Sequence, residues 1–129
     1  MKAQDSVLML AIGVVFWIGG TLWFQARGAP IFESTAPRYW INFAITPVVT
    51  TAACIGIILW RRVPTHAWAS AGLLLAIPGM IGEAILLSHF PQMMPRMQPV
   101  SAGRYGAFLF ATYALFLAIA ELVTLRANG

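Results

Sequence analysis

The sequence predicts an all-α membrane protein, a bundle of four transmembrane helices, and three observations carry that prediction. The 129-residue chain is 60% hydrophobic and only 9% charged, whereas a soluble domain carries about 25% charged residues. It holds four apolar runs, each matching the ~20 residues a helix needs to cross the hydrocarbon core. Its charges fall almost entirely between those runs.

The runs are Ser6–Gln25, Trp40–Trp60, Ala67–Phe90 and Tyr105–Leu125. They read as a single four-helix transmembrane domain over residues 1–129. Each must be helical, because lipid offers the backbone no hydrogen-bond partner. The first run is longer than the apolar core of a signal peptide and has Asp5 ahead of it, so it reads as a retained helix. In it, Gly13 and Gly20 lie a heptad apart, and Arg27 completes the series. In the second, Asn42, Thr46, Thr50 and Ala53 share a face, and Pro47 should bend the helix. In the third, Ala69, Gly72, Ala76 and Gly79 lead to Glu83, with a second bend expected at Pro78-Gly79. In the fourth, Ala107, Ala111, Ala114 and Ala118 lead to Glu121. Small residues let helices approach closely in lipid. These seams are therefore expected to face one another, with the large Leu, Ile and Phe side chains towards lipid. Their heptad-like spacing predicts a left-handed bundle.

The ends of the runs carry further signals. Asp5 or Ser6, Thr35, Thr65 and Ser101 are candidate helix caps. Trp23, Tyr39, Trp40, Phe90 and Tyr105 mark one membrane face, and Trp60 and Trp68 the other. The net charge of +4 comes from seven Arg and one Lys. Lys2, Arg61, Arg62 and Arg126 lie on one side; Arg27, Arg38, Arg96 and Arg104 lie on the other. The count is a tie, but Arg61 and Arg62 stand together in the shortest loop. That places both termini in the cytoplasm, with the chain crossing the membrane several times. So dispersed a charge does not build a nucleic-acid surface. The lone Cys54 permits neither an internal disulfide nor a cysteine metal site.

Four sets of residues bear on chemistry. Glu83 lies about 7 Å from the centre of its helix at 1.5 Å per residue. A carboxylate there is costly unless paired, hydrated or protonated, and it is a functional candidate by default. Arg27, Asn42 and Arg104 are its candidate partners. Two readings stand side by side: a proton-coupling or substrate-binding group, and a structural carboxylate tied to its neighbours. Glu121 lies nearer the opposite face and is expected to form a structural ion pair with Arg61, Arg62 or Arg126. The third loop holds His89, Met93, Met94 and Met97, a conceivable soft-metal set. Arg96 among them opposes a cation and methionine is a common gap filler, so no metal and no cofactor are expected. Pro91, Pro95 and Pro99 recur every four residues and predict a stiff, extended loop. His66 reads as an interfacial residue. No catalytic triad, paired-histidine, phosphate-loop or dinucleotide pattern occurs, so no enzyme activity is expected.

The runs Ile77-Pro78-Gly79-Met80-Ile81-Gly82-Glu83-Ala84 and Phe90-Pro91 form a recognisable pattern. With them go Tyr105-Gly106-Ala107-Phe108, Ala111-Thr112-Tyr113-Ala114-Leu115, Gly20-Thr21-Leu22-Trp23-Phe24 and Arg27. Together they resemble a family of small bacterial four-helix membrane proteins of unknown function. The resemblance implies the same architecture and an acidic residue after the Pro-Gly-Met turn. That residue is usually aspartate in the family; here it is Glu83, one methylene longer. Two functions are compatible with this reading. One is a small proton-coupled, transporter-like bundle, acting as a homo-oligomer, in practice a dimer. The other is a non-catalytic bundle that binds a partner membrane protein or lipid.

Overall fold

The computed structural model describes residues 2–33 and 36–129. Among them are four helices long and apolar enough to cross a membrane, and no strand. α1 spans Ala3–Phe32, α2 Ala36–Trp60, α3 Trp68–Ser88 and α5 Ala102–Asn128, with a single turn, α4, at Phe90–Met93. α1 lies along α3, α3 along α5, and α5 along α2, while α1 and α2 touch little. The protein is an all-α four-helix bundle, as its apolar runs require.

The helices overrun the apolar runs. The 30 residues of α1 make a rod about 45 Å long, against ~30 Å of hydrocarbon. The last turns carry Pro30 and bring Phe32 into an aromatic cluster under the loops. There its ring lies 5.3 Å from Tyr105 and 5.5 Å from Phe24, tilted or edge-on, the arrangement aromatic quadrupoles prefer. Pro47 and Pro78 sit inside continuous helices.

The expected caps are replaced by contacts between elements. Asp5 lies in the first turn of α1, whose N-cap position is Lys2. There it accepts hydrogen bonds from Arg61 Nε and Nη2 at 3.0 and 2.7 Å. Thr65 opens a 3₁₀ turn and caps nothing with its side chain. The start of α3 is held instead from α5: Thr124 Oγ1 accepts from Ala69 N–H at 2.9 Å and donates to the Thr65 carbonyl at 3.2 Å. The Ser101 hydroxyl donates to Glu33 Oε2 at 2.8 Å, and Gln98 N–H donates to the same oxygen at 2.9 Å. Glu33 thus ties the end of α1 to the start of α5. Thr35 lies outside the described residues.

Packing corrects the seams. α3 buries Gly72, Ala76, Gly79 and Glu83, as its spacing requires. α5 does the opposite: it buries Tyr105, Phe108, Thr112, Phe116 and Ala120, and Ala107, Ala114, Ala118 and Glu121 face outward. The reason is complementarity. The small face of α3 leaves room for rings, and α5 supplies them. A β-carbon on Gly72 would stand 3.2 Å from Ala120 Cβ and 3.5 Å from Phe116 Cζ, and one on Gly79 would meet the Tyr113 hydroxyl. On α1, Gly13 is buried and Gly20 exposed, and Gly28 takes the inner place below it. The interfacial belt is narrower than the sequence predicts. Trp23, Trp40 and Trp60 are exposed, but Tyr39, Trp68, Phe90 and Tyr105 are core residues. The third loop is folded, not extended. Phe90, Met94 and Met97 follow helical spacing and are buried with the aromatic cluster.

Candidate functional site

The interior divides into two close-packed clusters that share no residue. One, nearer the termini, is built from Met9, Cys54, Ile58, Trp68, Leu75 and Phe116 among others. The other lies under the first and third loops and centres on Phe24, Phe32, Leu86, Phe90, Tyr105 and Phe108. Between them the packing opens into a cavity of about 140 Å³. Protein interiors ordinarily contain few voids larger than a water molecule. At about 30 Å³ of liquid per water, this one has room for several.

Each long helix contributes to the wall. α1 presents Trp17, Gly20 and Phe24, and α2 presents Thr46, Thr50 and Cys54. α3 contributes Gly79 and Glu83; α5 contributes Tyr105, Phe108, Thr112 and Tyr113. Glu83 is 8% exposed, and its Oε2 has no hydrogen-bond partner. The Trp17 indole N–H is buried and unpartnered as well. Its ring packs on Gly82, the residue before Glu83, where a β-carbon would overlap it. Trp17 and Glu83 thus share the cavity wall, yet no hydrogen bond of ordinary geometry joins them. Thr21 Oγ1, Asn42 Nδ2 and Thr51 Oγ1 are also buried without partners. Buried polar groups are nearly always bonded; of these groups, Trp17 and Glu83 line the cavity, where water or a ligand can supply the missing bonds.

Glu83 also borders a second space. A crevice of about 180 Å³ between α3 and α5 is lined by Met80, Glu83, Leu87, Gly106, Leu109 and Tyr113, with Phe110 at its edge. Phe110 is 73% exposed and Met80 41%, so the crevice faces outward between the two helices. Glu83 and Tyr113 stand in the wall between the crevice and the inner cavity.

The expected partners of Glu83 are engaged elsewhere. Arg27 is exposed and lies over Trp23 of its own helix, 5.4 Å from the ring centroid. Arg104 donates from Nη1 to the Phe32 carbonyl at 3.2 Å and stacks on Tyr39 at 4.8 Å. Asn42 accepts a 2.7 Å bond from Thr46, and only Thr46 of the two reaches the cavity wall. Neither arginine lines the cavity. The structure also redirects the second ion pair. Arg61 binds Asp5, the only salt bridge among the described residues. Arg62 is exposed, at a positive φ of 54°, and Glu121 sits on the outer face of α5. The soft-metal set is dispersed by burial: Met94 and Met97 are sealed in the aromatic cluster. His89 is exposed, with Nδ1 3.1 Å from the Ile85 carbonyl.

Trp17 was missed by motif reading. Its signal was position: a tryptophan near the middle of a span, far from either headgroup region where such rings prefer to lie. Tyr113 stood in the sequence without a role until α5 was seen to turn its rings inward.

These features make the protein a multi-pass four-helix bundle with one acidic, aromatic-walled cavity midway through its interior. The chain belongs to the Family of unknown function (DUF5367), whose model matches residues 31–126. The Pro-Gly-Met-Ile-Gly-Glu run and the Tyr105–Leu115 run lie inside that match; Gly20–Phe24 and Arg27 precede it. No curated protein and no solved structure matches the chain.

Proposed function

We propose that the protein is a small transporter-like bundle in which Glu83 is the coupling group, taking up and releasing a proton within the cavity. One observation carries this reading: Glu83 faces a partly open cavity with a free carboxylate oxygen and no arginine or lysine in the wall. A carboxylate serving only helix packing is expected to be sealed by a cation or by backbone donors. We place the bundle in a bacterial inner membrane, following the resemblance to small bacterial membrane proteins, with both termini cytoplasmic on the strength of Arg61 and Arg62 in the shortest loop.

The test is proton flux in proteoliposomes under an imposed pH gradient, followed with a trapped pH-sensitive dye. Glu83→Gln, which keeps the shape and removes the titratable proton, abolishes flux on this reading. Glu83→Asp, which keeps a titratable carboxyl one methylene shorter, retains part of it. Equal flux in wild type and Glu83→Gln removes the carboxylate from the mechanism.

A second reading is favoured by the outer face of α5. Ala107, Ala114 and Ala118 lie exposed there at helical spacing, and small residues are what a second lipid-embedded helix packs against. On this reading the chain is a non-catalytic bundle joined to another copy or to a partner membrane protein. Ala114→Cys then forms an oxidative cross-link in native membranes, and Glu83→Gln alters stability without altering any flux. A monomer that resists cross-linking at this position counts against it.

A further inference from the structure

The cavity at Glu83 has a composition that selects its occupant. One carboxylate stands among the rings of Trp17, Phe24, Tyr105, Phe108 and Tyr113, with no basic side chain in the wall. Aromatic faces carry negative potential and attract cations, most strongly where water is excluded. When ionised, Glu83 adds a full negative charge at the same place. An anion would meet repulsion from both, and a neutral molecule would gain only from contact area.

A metal ion fits this wall poorly. No group of three or more His, Cys, Asp or Glu side chains comes together among the described residues. Calcium takes six to eight oxygen ligands and magnesium demands octahedral geometry. One carboxylate beside aromatic rings meets neither demand, whereas rings around a charge are the standard means of holding alkylated ammonium groups.

Size narrows the class. The cavity is about 140 Å³ and the adjoining crevice about 180 Å³. Each falls below the ~300 Å³ at which pockets for drug-sized ligands begin. The inner cavity compares with the ~150 Å³ apolar void that holds a single benzene molecule. Resting on the reading of Glu83 as the working carboxylate, we propose that this cavity binds a compact organic cation, of methylated-ammonium or guanidinium size, between Glu83 and the aromatic wall. The cation and the proton then contend for one group, so that binding of the first releases the second. The crevice between α3 and α5 gives a route to Glu83 from the side of the bundle.

The experiment is equilibrium binding to the full chain in lipid nanodiscs, read by isothermal titration calorimetry. The probes are tetramethylammonium, the neutral near-isostere tert-butanol, and the bulky cation tetraphenylphosphonium. Tetramethylammonium is expected to bind saturably, with tert-butanol and tetraphenylphosphonium each weaker by at least about tenfold. Glu83→Gln abolishes the binding. Trp17→Leu weakens it roughly tenfold, and Trp17→Phe, which keeps a ring over the site, retains most of it. Each variant is first shown to be monodisperse and to melt cooperatively. If Trp17→Leu does not fold, Tyr113→Leu against Tyr113→Phe carries the same comparison. Equal binding of the neutral isostere, tighter binding of the bulky cation, or no saturable binding of tetramethylammonium overturns the proposal. The transport reading is judged separately, by proton flux in proteoliposomes with and without tetramethylammonium. Flux without cation binding leaves that reading standing and sinks this one; cation binding without flux does the reverse.

Discussion

Gly13 and Gly20 lie a heptad apart on α1 and look equivalent in the sequence, yet replacing each by alanine should have opposite consequences. At Gly13 the backbone of α1 rests directly on α3. A methyl group there would overlap the Leu75 carbonyl oxygen and stand 3.1 Å from the carbonyl carbon and 3.3 Å from Pro78 Cγ. Two of these atoms are backbone and the third belongs to a rigid ring, so none can swing aside, and the two helices must separate. Overpacking of this kind costs about 1–3 kcal/mol, and the better helix propensity of alanine returns at most about 1 kcal/mol. Because Gly20→Ala shares the same propensity gain, Gly13→Ala should be less stable than Gly20→Ala by about 1–3 kcal/mol. At Gly20 nothing lies within 4 Å of an added β-carbon, so only the propensity gain remains and the change is neutral or slightly stabilising. The assay is unfolding in mixed micelles by SDS titration, followed by far-UV circular dichroism, with both variants run beside wild type. Equal midpoints for Gly13→Ala and Gly20→Ala would refute the α1–α3 contact as described.

Two further expectations test contacts that join separate elements. Glu33→Gln weakens two charge-assisted bonds, to Gln98 N–H and the Ser101 hydroxyl; bonds to a charged group are worth about 1.5–3 kcal/mol each at most. Hydrogen exchange at Gln98 should therefore quicken while exchange in the middle of α3 is unchanged, and uniform quickening would contradict a local tie. Asp5→Asn and Arg61→Gln should show a coupling of about 0.5–1 kcal/mol in a double-mutant cycle, because the pair is partly exposed. Glu121→Gln should stay within about 0.5 kcal/mol of wild type; a larger loss would restore the ion pair that the structure does not form.

The architecture was legible because lipid imposes it. Four apolar runs, helical by necessity, fix the element count, and the small face of α3 reads correctly from Gly72 to Glu83. The face of α5 does not. Its alanines and its aromatics both recur at helical spacing, so periodicity alone cannot say which side turns inward. The choice was made by α3, whose glycines leave space that Phe116 and Tyr113 enter, beside the small Ala120. The same logic moved Tyr39, Phe90 and Tyr105 from the interface into the core: a ring near a helix end suits either place until its neighbours are known. The partners assigned to Glu83 failed for a different reason. Arg27 and Arg104 lie at a suitable depth, but each has an aromatic face within reach closer to home, Trp23 and Tyr39. An exposed guanidinium stacked on a ring keeps most of its hydration, which a buried ion pair would remove. Depth along the helix was readable from sequence; direction around it was not.

The claim at the centre of this account is that Glu83 is an accessible, unsealed carboxyl group inside the bundle. Labelling with a hydrophobic carbodiimide tests it directly, because the reagent enters lipid and modifies a protonated carboxyl that it can touch. Peptide mapping by mass spectrometry is expected to find the adduct on Glu83, and tetramethylammonium to protect against it. Failure of Glu83 to react in the folded protein, with labelling only after denaturation, would show a sealed carboxylate and contradict the account.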